Sequence, residues 1–211
     1  MEKGRKLTGQ YEADVQALDA VLRISESFDL VSRRLKFSRR KATMYFINGF
    51  IKDDLMEKVV QFLMTQSKND FEDAEDTAEF ARIFLPNAEV STSSDQYEIV
   101  TRILAGMVVL LVEGFSEALI LDVRQFPTRS VEEPDEDRAL RGARDGFVET
   151  LVFNTALIRR RLRNPGLTME MMTVGTSSRT DVVLCYLDGK ADQKMVDKIR
   201  KKIQDIDIPS L

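Results

Sequence analysis

The chain has 211 residues, 43% hydrophobic and 31% charged, with 31 basic and 35 acidic side chains giving a formal charge of -4. That composition belongs to folded globular sequence with apolar material for a core, in one ordinary domain or two small ones. It excludes a molecule-wide attraction to nucleic acid or anionic membrane, so any such contact must be a local patch. The absence of histidine removes histidine triads, histidine acid–base chemistry and the usual zinc sites, so neither enzyme chemistry nor a metal or other cofactor is expected. The one cysteine, Cys185, lies in the apolar run DVVLCYL and reads as a small buried hydrophobe.

The start MEKGRKLTGQ lacks the apolar centre of a secretion signal. Tyr11, Val15, Leu18 and Leu22 then recur at helical spacing on one face. Two strand-like runs follow around the polar turn SRR at 38–40, the second ending in Asn48-Gly49, and a helix with Leu55, Val59 and Leu63 comes next. The acidic stretch at 70–85 predicts a surface helix with Phe80, Ile83 and Phe84 turned inward. Ser93 with Gln96 has capping-box spacing, and predicts a helix carrying Tyr97, Val100 and Leu104 on one face.

The run ILAGMVVLLV at 103–112 is about half of the roughly 20 residues that span a bilayer. It reads as a helix end, a break at Gly106 and a buried strand. That strand and ALILDV flank EGFSE, a hairpin signal, near whose tip Glu113 and Glu117 read as solvated carboxylates. After residues 127–146, a helix is expected with Phe147, Leu151, Ile158 and Leu162 on its buried stripe. A second pair of strand-like runs ends in Asp188-Gly189 and leads into a last helix; Met169, Met171 and Met172 fill core positions in the first of these runs.

The two strand–turn–strand–Gly–helix segments repeat. At an offset of 140 residues Gly49 falls on Gly189, Phe46 on Tyr186, Ile47 on Leu187, Leu55 on Met195, Val59 on Ile199 and Leu63 on Ile203. The expected fold is therefore α/β (α+β): two related small units, each helix–strand–turn–strand–helix, plus a central β-hairpin. The first unit covers 1–126, an ordered connector 127–146, and the second unit 147–211.

Three places could carry function. Glycine between strand and helix suggests an anion site at INGFIKDD or LDGKADQK, but no Walker or dinucleotide pattern accompanies it and an acid follows each glycine, so turn chemistry explains it better. Basic clusters occur at 32–41 and 158–166. In the second, Arg159 and Arg163 share a helix face beside Arg160, and these three are the candidates for contact with an acidic partner surface or lipid phosphates; the alternative is a solvated face whose arginine stems pack on the core. No interleaved aromatics support nucleic acid. The third place is the connector, TRSVEEPDEDRALRGARDGFVE at 128–149. There Arg129, Arg141 and Arg144 alternate with Glu133 and other acids, Pro134 forbids regular structure, Gly142 and Gly146 permit tight turns, and Phe147 and Glu149 lead into the helix.

At these residues the chain resembles the A subunits of GerA-type spore germinant receptors. The pattern R-x-V-x-E-P, then R-G-x-R-x-G-F-x-E and an arginine-rich helix, is met by Arg129, Val131, Glu133, Pro134, Arg141, Gly142, Arg144, Gly146, Phe147 and Glu149. YFINGFIKDDLMEKV is similar to the stage V sporulation branch of that family. The resemblance implies a cytosolic domain ahead of membrane helices, in a multi-subunit receptor or channel complex of the inner spore membrane, with further sequence after Leu211. It implies other receptor subunits and further copies of the chain as partners. Two functions follow as expectations: assembly and relay of the germinant signal, or binding of a small-molecule germinant in a cleft between the two units.

Overall fold

A computed structural model describes residues 4–37, 40–51, 53–65, 76–84, 89–126 and 146–207. Its elements run α1 (Tyr11–Leu22), β1 (Leu30–Phe37), β2 (Arg40–Ile47), α2 (Asp53–Thr65), α3 (Thr77–Phe84), β3 (Glu89–Ser93), α4 (Gln96–Leu104), β4 (Val108–Val112), β5 (Ala118–Asp122), α5 (Leu151–Arg161), β6 (Leu167–Val174), β7 (Thr180–Leu187) and α6 (Gln193–Gln204). The fold is mixed α/β with two sheets. One has five strands in the order β1-β2-β4-β5-β3, and the other is the β6-β7 pair.

The expected central hairpin is not an appendage. β4 pairs antiparallel with both β2 and β5, which makes it the middle strand, and every one of its residues is buried. Alternation along a strand sends its side chains to opposite faces. Accordingly Val108, Leu110 and Val112 join Val59, Leu63 and Phe80 of α2 and α3, while Val109 and Leu111 join Val15, Leu18 and Leu22 of α1 and Ile99, Val100, Ile103 and Leu104 of α4. A strand covered on both faces reads as a continuous apolar run, as VVLLV does. Gly106 follows the α4 end at φ 95°, a left-handed turn glycine adopts without strain.

The two strand–turn–strand–helix segments have the same element order. β2 and β7 both begin and end 140 residues apart, and Gly49 and Gly189 both take positive φ, 84° and 72°. The first strand differs: β6 starts at Leu167, three residues ahead of the position that Leu30 would predict. β6 and β7 are accordingly joined by a five-residue turn at 175–179.

Several local expectations are corrected. α4 is capped by Asp95, whose carboxylate accepts from Glu98 N, whereas Ser93 ends β3 and donates its hydroxyl to Glu98. The cap is thus Asp95, whose own N–H donates to Ser93 Oγ at 3.2 Å, and the residues Glu89–Ser93, too polar to signal a strand, form the sheet edge beside β5. Tyr97 is exposed; Val100 and Leu104 are buried. Of the three methionines, only Met169 is fully buried; Met171, two residues on and on the same side of β6, is 40% exposed. Cys185 is half-buried, with burial raising its thiol pKa.

Candidate functional site

The second expected buried stripe is the main correction, and it leads to the site. α5 begins at Leu151, Phe147 is 67% exposed ahead of it, and Leu162 is 39% exposed after it. The line that α5 buries is Thr155, Ala156 and Arg159. Small and polar residues face inward there because the helix is held by an ion pair rather than by an apolar seam.

Arg159 is fully buried. Its Nε donates to Asp29 Oδ2 at 2.7 Å and its Nη2 to Asp29 Oδ1 at 3.0 Å, the paired geometry that suits guanidinium and carboxylate. Further donations reach Ser27 Oγ at 3.2 Å, Leu167 O at 2.8 Å and Asn164 O at 3.0 Å. Ser27 donates to Asp29 Oδ1 at 2.6 Å and accepts from Met169 N at 3.0 Å, while Phe28 N donates to Met169 O at 3.0 Å. The loop between α1 and β1 is thereby joined to α5 and to β6. A buried charge is tolerable only when paired and hydrogen-bonded in this way.

Other contacts run along the same seam. Arg23, left-handed at the α1 end, donates to Asp188 Oδ2 at 2.6 Å and also pairs with Glu26. Gly49 packs against α5: a Cβ there would stand 3.0 Å from Val152 Cγ1 and 3.4 Å from Ala156 Cβ. The Arg160 guanidinium lies 4.6 Å from the Phe126 ring centre, and that ring meets Phe50 edge-on at 5.1 Å. At one end of the seam a groove of about 370 Å³ is lined by Tyr97, Val100, Thr101 and Leu104 of α4 with Arg163, Asn164 and Pro165.

The expected site residues therefore divide. Arg159 is not available to a partner or to lipid, since its donors are taken up internally. Arg160 and Arg163 are exposed, and Arg163 borders the groove. Arg129, Glu133, Pro134, Arg141, Gly142 and Arg144 lie outside the described residues. Gly146 is exposed, nothing lies within 4 Å of where its Cβ would be, and its φ is not in the left-handed region, so the geometry there does not require glycine; Glu149 is exposed. Ser27 and Asp29, which hold Arg159, carried no mark in the sequence. Among the described residues no group of three His, Cys, Asp or Glu could hold a metal ion, and no helix is long and apolar enough to cross a membrane.

Comparison with known proteins gives this arrangement its relatives. Stage V sporulation protein AF of Bacillus subtilis (strain 168) is 37% identical over 185 residues, covering 88% of this chain and 37% of that protein. Spore germination protein KA of the same organism is 25% identical over 191 residues, covering 89% of this chain and 35% of that protein. The chain thus spans little more than a third of these curated relatives. The crystal structure of the N-terminal domain of the A subunit of the Bacillus megaterium spore germinant receptor GerK3 has the same fold, with a TM-score of 0.74 at 23% identity over 96% of this chain and 74% of that one. The family model for the Bacillus/Clostridium GerA spore germination protein matches residues 19–211, a span that takes in the buried Arg159–Asp29 pair and every element of both sheets. The chain belongs to the GerA spore germination family.

Proposed function

We propose that this chain is the cytosolic, spore-core-side part of a membrane-embedded germinant receptor or channel subunit, acting in subunit assembly and in relay of the germinant signal. The family match over residues 19–211 carries this reading. In it, residues 1–126 and 147–211 are two units that move as one body through the Arg159–Asp29 seam, and the connector at 127–146 meets neighbouring subunits or further copies of the chain. The test uses spores carrying chromosomal variants, with immunoblots of the receptor subunits in the membrane fraction and optical-density loss after germinant addition. Arg141→Ala is expected to lower subunit levels or slow germination, and Lys3→Ala to leave both unchanged. Unchanged subunit levels and germination in Arg141→Ala spores would remove the connector from assembly and relay.

A second reading is favoured by the groove beside Arg163, which is large enough for an amino acid or sugar and mixes Tyr97, Thr101 and Asn164 with apolar walls. In that reading the chain binds the germinant. Calorimetric titration with amino acids and sugars is expected to give heat that Thr101→Val diminishes; absence of binding at millimolar ligand would leave assembly and relay as the role.

A further inference from the structure

The last helix shows a surface that the seam and the groove do not use. α6 is pinned to β6 on one side: Val196 is buried, and Arg200 Nε donates to both Glu170 oxygens, at 2.7 and 2.9 Å. That attachment fixes which side faces outward. Met195 is 53% exposed and Ile199 38%, one helical turn apart, and Ile206, just past the helix end, is 37% exposed. Lys198 and Lys202, also one turn apart, form the adjoining row, with Lys194 and Lys201 beyond it, all four exposed. Among the described residues no carboxylate pairs with any of these lysines, whereas Asp197, on the other flank, is taken up by Arg200 at 2.6 Å.

We propose that α6 lies against an anionic lipid surface, with Met195 and Ile199 inserted at the headgroup level and Lys194, Lys198, Lys201 and Lys202 among the phosphates. A narrow apolar ridge edged by lysines suits an interface where aliphatic stems follow the apolar surface and ammonium groups stay wet. The charge also decides against a second copy of the chain. A two-fold contact through this face would set the Lys198–Lys202 row against its own copy, while a bilayer containing phosphatidylglycerol neutralises it. Asp205 and Asp207 follow the helix, so the contact centres on 194–202.

Co-sedimentation of the chain with vesicles of phosphatidylglycerol and phosphatidylcholine in equal parts tests this. Binding is expected to these and not to pure phosphatidylcholine, and to weaken as salt rises. Lys198→Gln with Lys202→Gln should lower partitioning by about 25-fold, since each lysine near an anionic surface is worth about fivefold. Met195→Ser with Ile199→Ser should lower it as well, both pairs keeping the wild-type thermal midpoint. Arg160→Gln with Arg163→Gln should leave binding intact. The proposal is overturned by absence of binding to anionic vesicles, by binding that only the Arg160/Arg163 pair removes, or by sedimentation velocity showing self-association that Ile199→Ser abolishes. Because no partner subunit enters the assay, its failure leaves the assembly reading untouched.

Discussion

Arg159 and Asp29, 130 residues apart, share two hydrogen bonds in a site where their side chains are 0% and 1% exposed. Removing one partner strands the other as a buried, uncompensated charge, which costs about 3–5 kcal/mol. Arg159→Met is therefore expected to lower the urea midpoint strongly. The double change Arg159→Met with Asp29→Leu should recover much of the loss, because two apolar groups leave no stranded charge. Additive losses in the double-mutant cycle would show that the pair does not act as a unit.

Gly49 and Gly189 are matched in sequence and in φ, yet their surroundings differ. Alanine at Gly189 meets nothing within 4 Å, so only the left-handed backbone is penalised, by about 1–2 kcal/mol. At Gly49 the same backbone term is joined by the 3.0 Å approach to Val152 Cγ1. Denaturant melts should show Gly49→Ala as the more damaging change, with part of the difference recovered when Val152→Ala is added.

Arg124 and Asp122 give a pH signature. The Arg124 guanidinium donates to Asp122 through Nε at 2.7 Å and also through Nη2, and holds the carboxyl below its ordinary value of 3.8. A depressed folded-state pKa means that the contribution is present above the unfolded value and is lost as pH falls through the folded one. Arg124→Gln should raise the Asp122 midpoint in a carboxyl NMR titration and reduce stability near neutral pH. The stability difference from wild type should shrink below pH 3.8; a constant difference down to the acid limit would assign the effect to packing of the arginine.

Elements whose signals are local were readable in the sequence. VVLLV and ALILD announce buried strands, Gly106 and Gly114 announce their turns, and the stripe through Val15, Leu18 and Leu22 announces α1. β3 was missed because EVSTS has little apolar alternation at a sheet edge, and because Ser93 competes with Asp95 for the role of cap. The face of α5 was misread for a different reason. Its apolar residues Leu151 and Ile158 suggested an apolar stripe, whereas the buried side is chosen by Asp29, a residue that helical spacing on α5 cannot reveal. The run of Arg159, Arg160 and Arg161 looks like one basic surface; the first is fully buried and the next two are exposed.

The distance in sequence between Ser27–Asp29 and Arg159 bears on the order of events along the folding route. Both hairpins and their helices close through near neighbours, whereas the seam must wait for a long loop to close. An interaction made after the rate-limiting barrier leaves the folding rate almost unchanged and governs how fast the native chain opens. The Arg159–Asp29 pair is accordingly expected to act as a brake on opening, visible as a raised unfolding limb when either residue is replaced. How long the α1–β1 loop stays joined to α5 once folded would then depend on a buried cation 130 residues away in the chain.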